Sequence, residues 1–334
     1  MDKTKFRAMI VEEIEQNQFR RFIGEKTISE LPEGDVLIKV LYSSLNYKDA
    51  LSARGHKGIT RKYPHTPGVD AAGIVEKSDS SKFKVGDEVI VTGYDLGMNT
   101  SGGFGQYIRV PADWIVPLPK GLTLKEAMIY GTAGFTAGLC VNAFIEKGIT
   151  PESGKILVTG ATGGVGSLSV AILSKLGYYV VASTGKIEKE EFLRNLGARE
   201  VIHRSETYDA SSKPLLQRRW IGVVDNVGGI TLSTAIRSTD YDGIVASVGL
   251  VESEKLSITV YPFILRGVSL VGIDSAETKM EKRLKIWDRL SKDWKISFEG
   301  LWREVSLDKL NEEIEKILRG EQVGKVVINL WETK

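Results

Sequence analysis

The sequence predicts an α/β protein that combines a doubly wound parallel sheet with a partly barrel-like β domain. Apolar runs alternate with helical segments between residues 155 and 248, which is the pattern of a parallel sheet. The first 120 or so residues instead contain short alternating runs broken by glycine and proline, as in antiparallel strands. A chain of 334 residues is also longer than one compact domain usually needs.

Composition narrows the class of protein further. The chain is 42% hydrophobic and 26% charged, as expected of a soluble globular protein, and its net charge of +2 gives no support for nucleic-acid binding. The charged N-terminus is followed by no apolar segment, and the run 131–144 is too short and too glycine-rich to span a bilayer. We therefore expect a cytoplasmic protein with no membrane contact. The single cysteine, Cys140, excludes an intrachain disulfide and is expected to pack in the core.

The β domain comes first in the chain. Turns at 31–35 and 85–87 separate some of its strands, which are predicted at Val36–Tyr42, Gly73–Glu76, Glu88–Thr92, Tyr107–Val110 and Trp114–Pro117. Thr123 and Glu126 then form a capping box, which predicts a helix that runs towards Phe144. We place the first domain boundary at this capping box, so that residues 1–123 form the first domain.

A glycine-rich turn follows the first strand of the parallel sheet. Residues 156–158 form that strand, and Ala161, Gly163 and Gly166 occupy the small-residue positions of an A-x-G-x-x-G dinucleotide-binding turn. A helix beginning near Gly164 would point its unpaired N–H groups at a pyrophosphate, and Gly177 would end it as a left-handed cap. The turn residues predicted to contact the cofactor are Thr162, Gly163, Gly164 and Val165. A purely structural turn is the alternative, and the alternating strands and helices that follow favour dinucleotide binding.

The remaining elements complete this sheet and then leave it. Strands are predicted at Tyr178–Ser183, Glu200–Ile202, Ile221–Asn226, Ile244–Val248, Leu270–Ile273 and Val326–Leu330, and helices at Lys189–Leu196, Leu232–Arg237, Met280–Leu290 and Leu307–Leu318. The tail is too short to fold alone, so it should return to the first domain. We therefore expect an inserted nucleotide-binding domain at 124–265 and a C-terminal segment at 266–334, which supplies one more sheet strand before returning.

The end of the second strand of this sheet indicates which dinucleotide binds. NAD-specific turns usually carry an acidic residue there, whereas this chain has Ser183, Thr184, Gly185 and Lys186. A lysine without a neighbouring carboxylate favours the 2′-phosphate of NADPH, with Arg204 as a second phosphate ligand. A solvated loop lysine is the alternative. Other predicted cofactor ligands stand at the ends of later strands: Asn226, Gly249 and Leu250.

Five motifs in order resemble the zinc-independent quinone oxidoreductase subgroup of the medium-chain dehydrogenase/reductase superfamily, a subgroup that includes acryloyl-coenzyme A reductases. They are the segments 46–50, 67–73, 130–136, 159–166 and 261–267. The resemblance covers essentially the whole chain. It implies a GroES-like domain, an inserted Rossmann domain and a homodimer.

The resemblance also implies site residues outside the glycine turn. Tyr47 and Asn46 lie in a segment that reaches the nicotinamide and the substrate in this family. The Tyr47 hydroxyl would bind the cofactor or donate a proton, or it only packs, and Asn46 would orient the substrate or neighbouring amides. Asp49 is equally suited to capping local backbone. Further residues resemble positions near the nicotinamide, although the last run is also typical of core: Thr132, Thr136, Phe263, Ile264 and Leu265.

Comparison with zinc enzymes of the same superfamily indicates that no metal is bound. Zinc alcohol dehydrogenases have a cysteine in place of Asn46 and a His-Glu pair in place of Val69 and Asp70. A catalytic zinc needs about three ligands of cysteine, histidine or carboxylate type. One cysteine also rules out a four-cysteine site. The three histidines show no ligand spacing, and we interpret them as surface or structural residues: His56, His65 and His203.

Carbonyl reduction without a metal lacks its usual electrophile, whereas conjugate reduction of an activated alkene needs only hydrogen-bond donors for the enolate and a proton source. The absent metal and the cofactor turn predict an NADPH-dependent reductase of activated alkenes, and the subgroup resemblance implies most specifically the reduction of acryloyl-CoA to propionyl-CoA. The alternatives are a quinone reductase and a non-catalytic NADPH-binding sensor. Four cations on the loop 54–62 would hold coenzyme A phosphates or form a solvated loop: Arg54, Lys57, Arg61 and Lys62.

Overall fold

A computed structural model describes residues 3–332 of the chain. They form two compact units. Unit 1 contains the chain up to Thr132, Ala276–Ser291 and the chain from Trp302 onward, and unit 2 contains Ala133–Ser275 and Lys292–Leu301. The chain therefore begins in unit 1, builds most of unit 2 as an insertion, and ends in unit 1.

Strands and helices follow one another along the whole described chain. The strands are β1 (Lys5–Glu15), β2 (Gln18–Thr27), β3 (Val36–Ser44), β4 (Asp70–Ser78), β5 (Glu88–Thr92), β6 (Tyr107–Val110), β7 (Ile115–Pro117), β8 (Lys155–Val158), β9 (Tyr179–Thr184), β10 (Glu200–His203), β11 (Trp220–Asp225), β12 (Thr239–Ser247), β13 (Ser269–Gly272), β14 (Trp302–Ser306) and β15 (Lys325–Asn329). The helices are α1 (Tyr47–Ala53), α2 (Leu124–Glu146), α3 (Gly164–Lys175), α4 (Glu190–Asn195), α5 (Gly229–Arg237), α6 (Tyr261–Arg266), α7 (Met280–Ser291) and α8 (Leu310–Leu318).

Unit 2 is built on the parallel sheet that the sequence predicts. Its six strands follow the order β10-β9-β8-β11-β12-β13, and every neighbouring pair is parallel. β8 is the first of these strands in the chain, and the later strands are added on either side of it. The strand that precedes the glycine turn therefore lies where the strand order reverses. In such sheets ligands bind beyond the carboxyl ends of the strands, next to that reversal. The observed strands match the predicted ones within one or two residues, except that β12 begins five residues early, at Thr239.

Unit 1 contains a seven-stranded, largely antiparallel sheet. Its main path is β14-β15-β3-β4-β5-β7, β6 pairs with β3, and only β14 and β15 run parallel. The C-terminal strand β15 pairs with the end of β3, so that Val327 lies opposite Ser44. The C-terminal strand therefore belongs to the sheet of unit 1. The hairpin of β1 and β2, together with α1, α6 and β14, was not predicted.

The helix α2 begins at the predicted capping box. The Thr123 N–H donates to Glu126 Oε2 at 2.8 Å, and the Glu126 N–H donates to Thr123 Oγ1 at 3.1 Å. The helix is interrupted at Gly131, where φ is 50° and ψ is −156°. Its length and composition would suffice to cross a membrane, but 83% of its most apolar stretch is buried within the fold. Burial of this kind is typical of a core helix.

Candidate active site

The tight turn after β8 is made by Gly160, one residue before the position assigned to it from the sequence. Gly160 has a φ of +58°, whereas Ala161 is not among the residues with positive φ. The fingerprint assigned the turn to Ala161, and the structure corrects this, because only glycine adopts the left-handed conformation without strain. Ala161 is fully buried, and its N–H donates to the Ser183 carbonyl at 3.0 Å. This bond ties the turn to the end of β9.

The helix α3 begins directly after the turn, with Gly163 as its N-cap residue. A Cβ on Gly166 would lie 2.3 Å from the Gly160 carbonyl oxygen, so glycine is required there for the helix to pack on the turn. Gly164 and Val165 form the first turn of α3, whose N–H groups have no partner four residues earlier. Both residues are half-buried, in contrast to the buried Thr162. The turn therefore presents free backbone donors, as a phosphate cradle requires.

The end of β9 brings two cationic residues to one loop. Ser183 and Thr184 are buried, whereas Gly185 is exposed and Lys186 is half-buried. A Cβ on Gly185 would lie 3.0 Å from both Cδ and Nε of Arg204, so the guanidinium-bearing chain of Arg204 rests against this glycine. The backbone N–H of Lys186 donates to Thr184 Oγ1 at 3.0 Å. The structure thus places Arg204 beside the residue that precedes Lys186.

The carboxyl end of β11 carries an unsatisfied acceptor. The Asn226 Nδ2 group donates to the Thr159 carbonyl at 2.7 Å, while its Oδ1 is buried with no hydrogen-bond partner. Such an orphaned acceptor is costly unless a ligand supplies a donor. Asp225, just before it, accepts from Thr159 Oγ1 at 2.8 Å, and burial raises the pKa of its carboxyl to about 6. These contacts leave Asn226 suited to receive a cofactor donor.

Two further strand ends meet at the same edge. A Cβ on Gly249 would lie 2.1 Å from the Asn226 carbonyl oxygen, so this position requires glycine, and the next residue, Leu250, is exposed. The sequence analysis did not single out Asp274 and Ser275, which follow Ile273 after β13 at this edge. The Ile273 N–H donates to the Ser247 carbonyl at 3.0 Å, which fixes them there. Their signal was available, because they directly follow a predicted strand.

Phe263 and Ile264 lie in the short helix α6, which precedes the edge strand β13. Phe263 packs on the unit 2 core, and Ile264 is 68% exposed. One turn further along α6, Arg266 donates to the carbonyls of Arg237 and Thr239, at the amino end of β12. The cofactor contacts assigned to Phe263, Ile264 and Leu265 stay predictions.

Unit 1 contains a buried polar cluster centred on Asp70. Its carboxylate accepts from Ser44 Oγ at 2.7 Å, from Asn46 Nδ2 at 2.8 Å, and from the N–H and Oγ1 of Thr132 at 3.0 and 2.6 Å. A Cβ on Gly131 would lie 2.6 Å from Asp70 Oδ2. The positive φ at Gly131 and its missing side chain are therefore what allow Thr132 to reach the carboxylate. Thr136 is buried in unit 2.

Asp49 is a second buried carboxylate in the cluster. It accepts from the backbone N–H of Asn46 and of Val69, each at 2.8 Å. The bond to Asn46 belongs to a capping box at the start of α1, so Asp49 caps local backbone, one of the roles considered for it. Burial, and then the charge of Asp70, raise the pKa of the Asp49 carboxyl to about 7.

Lys325, which sequence reasoning missed, completes the cluster. Its side chain is fully buried, and Nζ lies 3.3 Å from both Ser44 Oγ and Asn46 Oδ1. Burial lowers the pKa of the Lys325 ammonium, while Asp70 and Asp49 oppose that effect. No local signal reveals this lysine, since its partners lie some 280 residues earlier in the chain.

Tyr47 stands at the exposed side of the cluster. It is the first residue of α1, directly after the N-cap Asn46, and it is 40% exposed. Within residues 3–332, no side chain or backbone group hydrogen-bonds to its hydroxyl. Asn46 is half-buried, and its amide is engaged on both atoms. The structure therefore leaves the Tyr47 hydroxyl available for a ligand and assigns Asn46 to internal contacts.

The donor set around Asp70 does not fit a catalytic zinc. Hydroxyl and N–H donors already occupy the carboxylates, the buried Lys325 ammonium contacts Ser44 and Asn46 beside them, and Cys140 belongs to the other unit. Among residues 3–332, no group of three histidine, cysteine, aspartate or glutamate residues is placed to hold a metal. His65 is buried with Nε2 2.9 Å from the Gly97 carbonyl, and burial lowers its pKa to about 4. His203 bonds Ser205 through Nδ1, and His56 is exposed.

The four cationic side chains of the loop 54–62 differ in their contacts. Lys57 forms an ion pair with Glu13 and lies over the rings of Phe19 and Tyr63, 4.9 and 5.1 Å from their centroids. Lys57 therefore holds the loop to the β1–β2 hairpin. The other three cations are exposed and form no ion pair within residues 3–332: Arg54, Arg61 and Lys62.

Two family models match the chain. One, described as "Alcohol dehydrogenase GroES-like domain", covers residues 32–120, and the other, described as "Zinc-binding dehydrogenase", covers residues 164–291. The first lies within unit 1. The second begins at Gly164, the first residue of α3, and includes the strands of the six-stranded sheet from β9 onward.

Several proteins resemble the chain over its full length. Acrylyl-CoA reductase AcuI of Ruegeria pomeroyi is 42% identical, over 97% of this chain and 99% of the relative. Putative quinone oxidoreductase YhfP of Bacillus subtilis is 47% identical over 98% and 99%, and its structure with NAD bound gives a TM-score of 0.95 over 98% and 100%. The yhdH oxidoreductase from Salmonella enterica in complex with NADP is 41% identical, with a TM-score of 0.94 over 97% and 99%.

Proposed function

Because the chain belongs to the zinc-independent quinone oxidoreductase subgroup of the medium-chain dehydrogenase/reductase superfamily, we propose that it is an NADPH-dependent reductase of activated alkenes that converts acryloyl-CoA to propionyl-CoA. The Asp70 cluster is the observation that carries the proposal. Its carboxylates accept from hydroxyl and N–H donors, and an ammonium lies beside them, so the donor set does not suit a metal electrophile for a simple carbonyl. Conjugate reduction does not need one. The name of the AcuI relative supports acryloyl-CoA as the acceptor.

The edge of the unit 2 sheet would hold the cofactor. NADPH supplies the hydride that the reaction consumes. The free N–H groups of α3 would bind its pyrophosphate, Lys186 and Arg204 its 2′-phosphate, and Asn226 Oδ1 would accept from one of its donors. NADP in the yhdH complex supports this choice of dinucleotide.

Unit 1 would supply the polar contacts to the acceptor. Charge that builds on the thioester oxygen is stabilised by hydrogen-bond donors, and the α-carbon then takes a proton from a donor or from water. The Tyr47 hydroxyl is the exposed, unengaged donor next to the cluster. We assign it a hydrogen bond within the site and assign the proton to water.

Replacing Tyr47 with phenylalanine tests that assignment. A lost neutral hydrogen bond is worth roughly 0.5–1.5 kcal/mol, so we expect kcat/KM to fall by about two- to tenfold. Steady-state NADPH oxidation measures it, with Tyr208→Phe as the control, because Tyr208 is also an exposed tyrosine. A fall of more than about a hundredfold would instead make Tyr47 the general acid. An unchanged rate and NADPH affinity would remove it from the site.

The three free cations of the loop 54–62 would bind the phosphates of coenzyme A. Arg54, Arg61 and Lys62 are exposed, whereas Lys57 is engaged by Glu13. We expect the triple alanine variant of the free cations to raise KM for acryloyl-CoA about tenfold, because charge-assisted phosphate contacts are lost. Free coenzyme A should compete with acryloyl-CoA in the wild type and compete more weakly in this variant. Unchanged inhibition in the variant would leave these cations as a solvated loop.

We further propose that the protein is a cytoplasmic homodimer that pairs through the edge of the unit 2 sheet. β13 is an edge strand, and open strand edges pair readily with a second copy. Exposed apolar side chains concentrate before and on this strand: Leu250, Val251, Val260, Tyr261, Ile264, Leu265 and Leu270. A second copy would bury them.

Light scattering during gel filtration tests the dimer. We expect a mass of twice 36.8 kDa for the wild type and a single-chain mass for Ile264→Asp/Leu270→Lys. Val85→Asp, at an equally exposed apolar position in unit 1, should leave the dimer intact. A monomeric wild type, or a dimer that survives the double substitution, contradicts this interface.

NADPH oxidation over a panel of acceptors tests the proposed function. We expect kcat/KM to be highest for acryloyl-CoA, lower for acryloyl thioesters without coenzyme A, and lowest for 1,4-benzoquinone. The name of the YhfP relative favours quinone reduction as the second candidate, and a benzoquinone value above that of acryloyl-CoA would select it. Tight NADPH binding without oxidation by any acceptor would instead indicate a sensor.

A further inference from the structure

Lys325 is the member of the Asp70 cluster that has no part in the steps above. Its ammonium is fully buried and lies 3.3 Å from both Ser44 Oγ and Asn46 Oδ1. Ser44 Oγ and Asn46 Nδ2 in turn donate to Asp70. The buried cation and the buried carboxylate are therefore joined through two shared side chains.

This arrangement fixes the orientation of the Asn46 amide. An amide has an acceptor oxygen and a donor nitrogen, whereas an ammonium only donates and a carboxylate only accepts. Lys325 therefore requires Oδ1 on its side, and Asp70 requires Nδ2 on the other. A flipped amide would set donor against donor and acceptor against acceptor at once.

The orientation of the Asn46 amide affects Tyr47, which stands at the exposed side of the cluster. Asn46 is the N-cap residue of α1, and Tyr47 is the first residue of that helix. The backbone also joins the two segments, because the Leu45 N–H donates to the Val326 carbonyl at 3.0 Å, next to both Asn46 and Lys325. Lys325 is therefore linked to the start of α1 both through its side chain and through this neighbouring backbone pair.

We propose that Lys325 is a positioning residue, whose buried ammonium holds the Asn46 amide in one orientation and so fixes the start of α1 with Tyr47. It touches neither acceptor nor cofactor in this proposal. The expected change in kcat rests on the proposed function, whereas the expected change in the position of Tyr47 does not.

A test of this proposal must distinguish the effect of the Lys325 charge on stability from its effect on the orientation of the Asn46 amide. The charged groups that bear on the ammonium are Asp70 on β4 and Asp49 on α1, and the charge of Arg283 on α7 also acts on Asp70. Lys325→Met leaves the Asp70 carboxylate buried without its cation, which destabilises the fold. Lys325→Met/Asp70→Asn removes both charges. In that double variant the Asn46 amide loses its contacts with both charges, and its Nδ2 keeps only the longer contacts to Asp49 Oδ2 and the Ser44 carbonyl, at 3.2 and 3.3 Å, so stability returns while the orientation is held less firmly.

The experiment compares the wild type, Lys325→Met, the double variant, and Lys77→Met as the control. Lys77 is an exposed lysine on a strand of the same sheet. Four quantities are measured for each protein: kcat with acryloyl-CoA, the Kd for NADPH, the melting temperature, and the ¹⁹F NMR spectrum after labelling with 3-fluorotyrosine. The Tyr47 resonance is assigned by its absence in Tyr47→Phe.

We expect the double variant to melt near the wild type, with NADPH affinity unchanged, kcat lowered by about two- to tenfold, the range expected for loss of the Tyr47 hydroxyl, and the Tyr47 resonance shifted. Lys325→Met should show the same kinetic loss with a lower melting temperature, and where it does not fold the double variant decides. A kcat within about twofold of wild type in either folded variant would overturn the proposal. An unshifted Tyr47 resonance in the double variant would overturn it as well. A wild type without turnover defeats the proposed function, and the NMR comparison still decides the role of Lys325.

Discussion

Asp70→Ala is expected to lower the free energy of unfolding of unit 1 by about 3–5 kcal/mol, the cost of leaving a buried charge without its partner. Asp70 is fully buried and is the acceptor for Ser44, Asn46 and Thr132. Its loss would leave the Lys325 ammonium without its main opposing charge, and several donors without an acceptor.

Urea unfolding followed by near-ultraviolet circular dichroism measures this loss. Asp113→Ala is the matched control in the same unit, because the Asp113 side chain is 80% exposed and forms only a surface ion pair with Lys82. We expect the control to change the free energy of unfolding by about 1 kcal/mol or less. A loss of less than about 1 kcal/mol in Asp70→Ala would mean that the cluster does not depend on this carboxylate.

Lys186→Ala/Arg204→Ala is expected to lower kcat/KM for NADPH by about 10²–10⁴-fold, because two charge-assisted contacts to the 2′-phosphate, each worth roughly 1.5–3 kcal/mol, are removed. NADH has no 2′-phosphate, so its kcat/KM should change by no more than about twofold. The single variants should each show part of the loss. Arg204 lies against Gly185, so the two cations act on one loop.

The measurement is the ratio of kcat/KM for the two cofactors. Lys189→Ala is the control, because Lys189 is an exposed lysine three residues after Lys186. NAD in the YhfP structure makes this test informative, since a close relative was crystallised with the other dinucleotide. A wild-type preference for NADH, or an equal loss with both cofactors in the double variant, would contradict the assignment of the 2′-phosphate to these residues.

Local patterns in the sequence were sufficient for the parallel sheet, the capping box of α2 and the helix after the glycine turn. The turn residue itself was misplaced by one position, because Gly160 and Ala161 are both small and a motif cannot show which has the positive φ. The β1–β2 hairpin was missed, since it reverses at Asn17, a residue with positive φ outside any usual turn dipeptide.

The site was harder to predict than the fold. Residues near Asn46 were found through a family resemblance, but the cluster that holds them depends on pairing between β3 and β15, which are far apart in the chain. Only that pairing makes Lys325 a neighbour of Asn46.

Transfer of deuterium from NADPH to the acceptor tests the central claim most directly. NADPH labelled at C4, on each face in separate reactions, is incubated with the protein and acryloyl-CoA, and the product is analysed by mass spectrometry and NMR. We predict propionyl-CoA with one deuterium at the β-carbon from one of the two labelled cofactors. Oxidation of both labelled cofactors without deuterium in propionyl-CoA, or binding of NADPH without its oxidation, would contradict the claim.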